Sequence, residues 1–164
     1  MKFCVAFIIS VFLMAGGCGG KPVLLTKPAA VPLGLDLSGN WVVSGSTGSS
    51  QREARELSVH VFLEMGKTLK VTQTNSGLFL SFDRSVVEEY RFGENREISV
   101  GAISAARASG WEGRTYVIET LDEEGAKLIE TYRLENDGSV LRRTIVIWHR
   151  DAKKIDLEQV LNRV

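Results

Sequence analysis

Residues 115–149 read T-Y-V-I-E-T-L-D-E-E-G-A-K-L-I-E-T-Y-R-L-E-N-D-G-S-V-L-R-R-T-I-V-I-W-H. Three runs stand out, Thr115–Asp122, Lys127–Glu135 and Ser139–His149. They are separated by Asp122-Glu123-Glu124-Gly125 and by Asn136-Asp137-Gly138. β-Branched and aromatic residues at alternating positions suit a half-buried pleated surface. Glycine at the reversals supplies the positive φ that tight hairpins demand. Strands joined so closely pair antiparallel.

The same pattern extends towards the N-terminus. Leu57, Val59, Val61 and Leu63 alternate with Ser58, His60 and Glu64, which predicts a strand there. Further strands are predicted at Lys67–Thr74, Leu78–Asp83, Val86–Phe92, Glu97–Ala102 and Ile103–Trp111. Short turns such as Glu64–Lys67, Asn75–Gly77 and Glu112-Gly113 separate them. Gln51–Glu56 fits a helical turn. Leu157, Val160, Leu161 and Val164 fit a short amphipathic helix, but a last strand over Ile155–Val164 is favoured, because something must cover the edge beside Ser139–His149. The expected fold is therefore all-β: a single antiparallel meander barrel of about eight to ten strands over residues 36–164. Closure removes the exposed edges that an open sheet of this length would carry.

The N-terminus reads differently. Lys2 precedes an apolar run, Phe3 to Met14, and Ala15-Gly16-Gly17 leads into Cys18. This is the pattern of a lipoprotein-type signal peptide over residues 1–17, with Cys18 as the lipidation site. An ordinary cleaved secretory signal is the alternative. The run is short for a span of about 20 residues. Two acyl chains on Cys18 would anchor the chain stably. Pro22, Pro28 and Pro32, the three prolines of the chain, fall in 18–35, which predicts a flexible, extended tether. The expected location is the bacterial cell envelope, exported and lipid-anchored, at the outer membrane or a periplasmic face.

Removing residues 1–17 from the 164 leaves 147, enough for one domain. Cys4 leaves with the leader, so Cys18 has no intrachain disulfide partner. The full chain carries 20 basic and 20 acidic residues, and losing Lys2 makes the remainder one charge negative. That balance argues against nucleic acid as a partner.

Short motifs then recur in order. Ser38-Gly39-Asn40-Trp41 opens the domain. Gly110-Trp111-Glu112-Gly113 runs into Val117-Ile118-Glu119-Thr120. Glu130-Thr131-Tyr132-Arg133-Leu134 and Asp137-Gly138-Ser139-Val140-Leu141 follow. The series resembles a group of uncharacterised bacterial exported proteins with a lipocalin-like (calycin-like) β-barrel. The resemblance covers Asp36 to the C-terminus and implies no shared activity. It does imply that Gly39 and Trp41 sit at the closed end of the barrel, with Arg163 from the last strand over the indole.

Two sets of residues are candidates for binding. Glu130 shares a strand face with Leu128, Tyr132 and Leu134; Arg143 shares one with Leu141, Ile145 and Ile147. Across a two-residue turn Arg143 falls on the diagonal from Glu130, and across a three-residue turn Arg142 does. If those faces point inwards the charges must pair, because an unpaired buried charge is very costly. They then either anchor a ligand's head group or satisfy only each other. If the faces point outwards, both groups are solvated. Trp111, Tyr132 and Trp148, with Phe79, Phe82, Tyr90, Phe92 and Tyr116, either line a pocket or form core.

Catalytic signals are weak. His60 and His149 lie far apart, and neither has ligand-spaced partners, so no metal is expected. No cofactor or catalytic residue is assigned. The expected function is non-catalytic binding of a small, partly apolar molecule. The alternative is a filled barrel serving as a structural or envelope-protein interaction module. A third reading is a hydrolase or isomerase at the barrel mouth.

Overall fold

The computed structural model describes residues 23–48, 56–85 and 87–164. The leader 1–17, Cys18, the first residues of the tether and most of the Gln51–Glu56 turn lie outside them. Ten strands follow one another: β1 (Gly39–Gly48), β2 (Thr68–Gln73), β3 (Gly77–Phe82), β4 (Glu88–Arg91) and β5 (Glu94–Val100). Then come β6 (Ile103–Glu112), β7 (Thr115–Asp122), β8 (Ala126–Glu135), β9 (Val140–His149) and β10 (Ala152–Arg163).

They form one antiparallel sheet in the order β4-β3-β2-β1-β10-β9-β8-β7-β6-β5. Every chain-consecutive pair is a ladder except β4 and β5, and the first strand closes on the last, Trp41 opposite Arg163. The final segment is thus a strand, as the edge argument requires. Register shifts at Val43/Gly45 in β1 and Lys153/Ile155 in β10 add local twist where the sheet rolls shut. The two sheet edges, β4 and β5, face one another across a seam bridged by side chains. The barrel is nearly closed.

Two ends follow from the strand directions. One, the floor, holds the β6–β7 and β8–β9 turns and the starts of β1 and β5. The other, the cap end, holds the β5–β6, β7–β8 and β9–β10 turns. Trp41, Leu69, Leu78, Trp111, Tyr116, Tyr132, Leu141 and Leu161 form the core towards the floor. Val59, Phe62, Ala126, Leu128, Ile145, Ile147 and Ile155 form a second core under the cap.

Two expectations need revision. Leu57–Leu63 is no strand: Ser58–Phe62 is a 3₁₀ helix. A three-residue period puts Val59 and Phe62 on one buried face and leaves Val61 exposed, so the alternation was coincidental. Ser58 Oγ donates to Asp122 Oδ2 (2.8 Å), which pins this turn over the β7–β8 corner.

The described part of the tether, residues 23–35, is docked along the outer wall. Leu24 is buried on Ala108 and Leu121. Lys27 Nζ meets Glu112 (2.5 Å) and Glu119 (3.6 Å). Trp111 N–H donates to the Pro28 carbonyl (2.9 Å). Small residues on the outer face of β6 make room. A Cβ on Gly110 would stand 2.5 Å from the Pro28 oxygen. Gly110→Ala should therefore loosen this strap by about 1–3 kcal/mol, the usual cost of overpacking. The Trp111 amide would then exchange roughly 5- to 150-fold faster. Unchanged exchange at Trp111 would count against this packing.

Candidate functional site: a buried charge cluster inside the barrel

Alternation along β8 and β9 turns Glu130, Tyr132 and Arg143 inwards with Leu128, Leu141 and Ile145. The register sets Tyr132 opposite Arg143 and Glu130 opposite Ile145, so Arg143 lies on the diagonal from Glu130. Both charges are almost fully buried, Glu130 at 2% and Arg143 at 0% exposure. Burial of this kind requires full pairing, and the guanidinium has it. Its Nε donates to Glu130 Oε2 (3.1 Å), and one terminal nitrogen pairs with the same carboxylate. Gln159 Oε1 accepts at 3.1 Å and the Glu64 carbonyl at 2.8 Å, while Met65 Sδ lies at 3.6 Å. Tyr132 Oη donates to Glu130 Oε2 (3.0 Å). The guanidinium also lies 4.4 Å over the Phe82 ring and 5.6 Å from that of Tyr132. Glu64 and Met65 belong to the loop between the 3₁₀ turn and β2, so the cap end itself supplies part of the coordination.

A second cluster closes the seam. Arg107 on β6 is inward, since Ile103, Ala105, Arg107, Ser109 and Trp111 share a face. Its Nε donates to Glu94 Oε1 (2.9 Å), and its other nitrogens reach across to β4, pairing with Glu88 and donating to the Glu89 carbonyl (2.9 Å). Ser109 Oγ donates to Glu94 Oε1 (3.0 Å), and Tyr116 Oη donates to Ser109 Oγ (3.0 Å). Arg107 stacks 4.4 Å over Tyr90. Side chains thus replace the missing β4–β5 ladder.

At the floor Gly39, Trp41 and Arg163 lie together. The Arg163 guanidinium lies 4.3 Å over Trp41, and its nitrogens donate to the Ser38 (2.6 Å) and Gly138 (2.9 Å) carbonyls. Trp41 Nε1 donates to the Leu37 carbonyl (3.2 Å). Gly39 is needed for space: a Cβ there would sit 2.7 Å from the Arg163 guanidinium.

Among the named aromatics, Trp111 is inward and packs with Tyr116 (5.1 Å) and Phe92 (5.6 Å). Its buried Nε1 has no hydrogen-bond partner among the described residues. Trp148 is not part of the interior. It sits between inward Ile147 and the β9–β10 turn, half-exposed on the outer face, with Lys153 Nζ at 5.6 Å. The strict alternation that turns Arg143, Ile145 and Ile147 inwards excludes it. Among the described residues no His, Cys, Asp and Glu group is arranged to hold a metal ion.

Arg107, Glu94, Glu88, Gln159 and the Glu64–Met65 loop were not anticipated from sequence. Arg107 carried a readable signal, because it shares parity with Ile103 and Trp111. Its neighbours Ala105, Ala106, Ala108 and Gly110 are too small to mark either face.

Electrostatics follow burial. Desolvation, with Glu130 and Glu88 nearby, drives the Tyr90 phenol well above its usual range. Desolvation also raises Tyr132, where Arg143 opposes and Glu130 reinforces it. Tyr116 is raised by burial, against the opposing hydrogen bond with Ser109. Burial alone would lower Arg143, but Tyr132 and Glu130 outweigh it and hold the guanidinium charged. The three tyrosines of the chain are Tyr90, Tyr116 and Tyr132. An alkaline titration should therefore show no tyrosinate near pH 10, the ordinary phenol value, and then a cooperative rise as the fold is lost. The sign is set by linkage: the unfolded phenols ionise above about pH 10 while the folded ones keep their protons. Stability is complete below that pH and falls as pH rises further. A hyperbolic tyrosinate signal at pH 10 in folded protein would contradict this burial.

A depression of about 450 Å³ opens at the cap end of the seam, lined by Phe62, Val87, Glu88, Ile98, Val100 and Arg107. Another, about 730 Å³, lies at the floor among Asp36, Arg114, Glu135 and Arg163.

No protein-family model and no curated protein sequence matches the chain. Solved structures do. A secretory abundant heat soluble protein from Ramazzottius varieornatus matches with TM-score 0.54 and 12% identity, over 77% of this chain and 94% of that one. Apo lipid-binding protein 8 from Caenorhabditis elegans gives 0.55 and 12%, over 77% and 94%. The zebrafish ileal bile acid-binding protein, complexed with cholic acid, gives 0.53 and 12%, over 77% and 98%. The likeness shows the fold: an antiparallel meander barrel like those of lipocalins and fatty-acid-binding proteins.

Proposed function

We propose that this protein is an exported, lipid-anchored, non-catalytic binder of a small, partly apolar molecule taken up inside its barrel. The observation that carries the reading is the coordination of Arg143. A fully buried guanidinium is rare without strong reason. Here one terminal nitrogen donates to the Glu64 carbonyl and the other lies near Met65, and both partners sit on the cap-end loop. Lifting that loop frees donors for a carboxylate or similar polar head, with Glu130 and Tyr132 fixing its position. The apolar body would lie against Phe82, Tyr132 and the Trp111 cluster, where the indole N–H is available to an acceptor. Barrels of this shape include a lipid-binding and a bile acid-binding protein, which agrees with this ligand class.

The direct test is titration with a fluorescent long-chain fatty acid analogue. Saturable uptake near one per chain is expected. Trp111→Phe, which removes the unpartnered N–H together with part of the buried ring, should lower stability through the space it leaves and weaken uptake by the fraction that stays folded. Absence of saturable uptake overturns the reading.

A second reading rests on its own observation. Trp41, Trp111, Arg143, Tyr116 and Tyr132 are among the largest fully buried side chains, and the Arg143 donors are satisfied internally. That suits a filled barrel acting as a structural or protein-interaction module of the envelope. It predicts no uptake at any probe concentration.

A further inference from the structure

The docked strap runs in one direction. Val23 and Leu24 border a hollow shared with Asn95, Ala106, Leu121, Asp122 and Gly125, beside the β7–β8 turn at the cap end. From there the chain descends past Gly110 and Gly93. Leu35 and Leu37 are buried in the floor core. The strap is held along its length. Asn95 Nδ2 donates to the Leu24 carbonyl (2.9 Å), Leu24 is buried, and Lys27 sits between two carboxylates. Val23, where the described chain begins, therefore lies at the cap end. Cys18 lies five residues before Val23. An extended chain of that length spans at most about 18 Å.

Apolar side chains stand in solvent at both ends, Leu33 and Val164 at the floor and three valines at the cap, so the direction of the strap, not exposure, distinguishes the two. Val61 of the 3₁₀ turn, Val87 of the β3–β4 loop and Val100 at the end of β5 are 39%, 58% and 48% exposed. Arg150, Lys154, Glu123, Glu124 and Asp151 are exposed at the same end, so it carries no one-signed field. Contact there would be apolar rather than electrostatic.

We propose that the strap fixes the barrel's orientation, holding the cap end against the lipid surface with Val61, Val87 and Val100 at the headgroup layer and the floor pointing away. This rests on acylation of Cys18, part of the function proposed above. It deepens that reading, because the seam mouth then faces the bilayer. The small apolar molecule is exchanged with lipid rather than with the aqueous phase.

The test uses the full chain with its own leader, produced in a bacterium and placed in phosphatidylethanolamine/phosphatidylglycerol vesicles. These carry a headgroup nitroxide as quencher. Acylation blocks Cys18, so a fluorophore can be put singly on Val87→Cys or Val100→Cys at the cap, or on Leu33→Cys at the far end. All three sites are exposed. Mass spectrometry reports the diacylglycerol. Several-fold stronger quenching at the cap sites than at Leu33→Cys is expected. Leu24→Asp, which undocks the strap, should equalise them while acylation persists. Acylated protein with equal quenching, or stronger quenching at Leu33→Cys, overturns the orientation and leaves the anchor standing. So does cap-end bias that survives Leu24→Asp. Protein lacking the acyl group overturns both.

Discussion

Glu130→Leu is expected to destabilise the barrel by about 3–5 kcal/mol, the cost of leaving one member of a buried ion pair alone. Against a typical total of about 5–15 kcal/mol, that is a large share of the stability. The physical reason is specific to Arg143. Its exposure is zero, its charge cannot be discharged by losing a proton, and Gln159 and the Glu64 carbonyl offer dipoles rather than a counter-charge. Arg143→Met should cost less, because Glu130 keeps the Tyr132 hydroxyl as a donor (3.0 Å), whereas the guanidinium left by Glu130→Leu keeps no counter-charge. The double variant Glu130→Leu/Arg143→Met should recover most of the loss, since apolar replacement of a buried pair is often neutral or stabilising. Guanidinium chloride unfolding of the three variants measures this. Equal cost for both single variants, or a double variant as unstable as Glu130→Leu, would mean that the pair is not the buried unit described here.

Arg107→Met should cost about 3 kcal/mol, at the low end of the same range, because Glu94 keeps Ser109 and Arg96 (2.9 Å) as partners. Its effect should be local. Arg107 supplies the links from β6 to Glu88 and the Glu89 carbonyl on β4, so the seam loses its bridge. Amide exchange should accelerate in β4 and β5 while the β8, β9 and β10 amides remain protected. Uptake of the fatty acid analogue should become faster. Uniform acceleration across all strands would show that the seam is no separate unit of opening.

The residues that made the fold legible are those with strict parity. In β8 and β9 the alternation and the Asn136–Gly138 reversal disclosed the strands and their antiparallel pairing, but which faces turn inwards, and whether Arg143 or Arg142 meets Glu130, depended on a turn length that the residues left open. Gly39, Trp41 and Arg163 were singled out through order and resemblance rather than through parity. Leu57–Leu63 misled because Leu57, Val59, Val61 and Leu63 fit a period of two while Val59 and Phe62 fit a period of three, in a window too short to separate them; capping of the barrel, a tertiary demand, selected the 3₁₀ form. The strap was hidden for another reason. Its prolines and small residues read as slack, while the surface that receives it, Ala106, Ala108 and Gly110, is recognisable only as an absence of side chains on the outer face of β6. Arg107 was lost among the same small residues. Partners supplied by loops, such as Glu64 and Met65 to Arg143, leave no periodic trace.

The central claim is that the barrel takes a small, partly apolar molecule onto the Arg143 cluster. Native mass spectrometry of the protein purified from its own host tests it most directly. The account predicts a single non-covalent adduct in equimolar amount, retained by the wild type and diminished in Trp111→Phe. A bare polypeptide mass under conditions that keep the fold intact, with the fatty acid analogue also failing to bind, would contradict it and leave the filled barrel as the correct description.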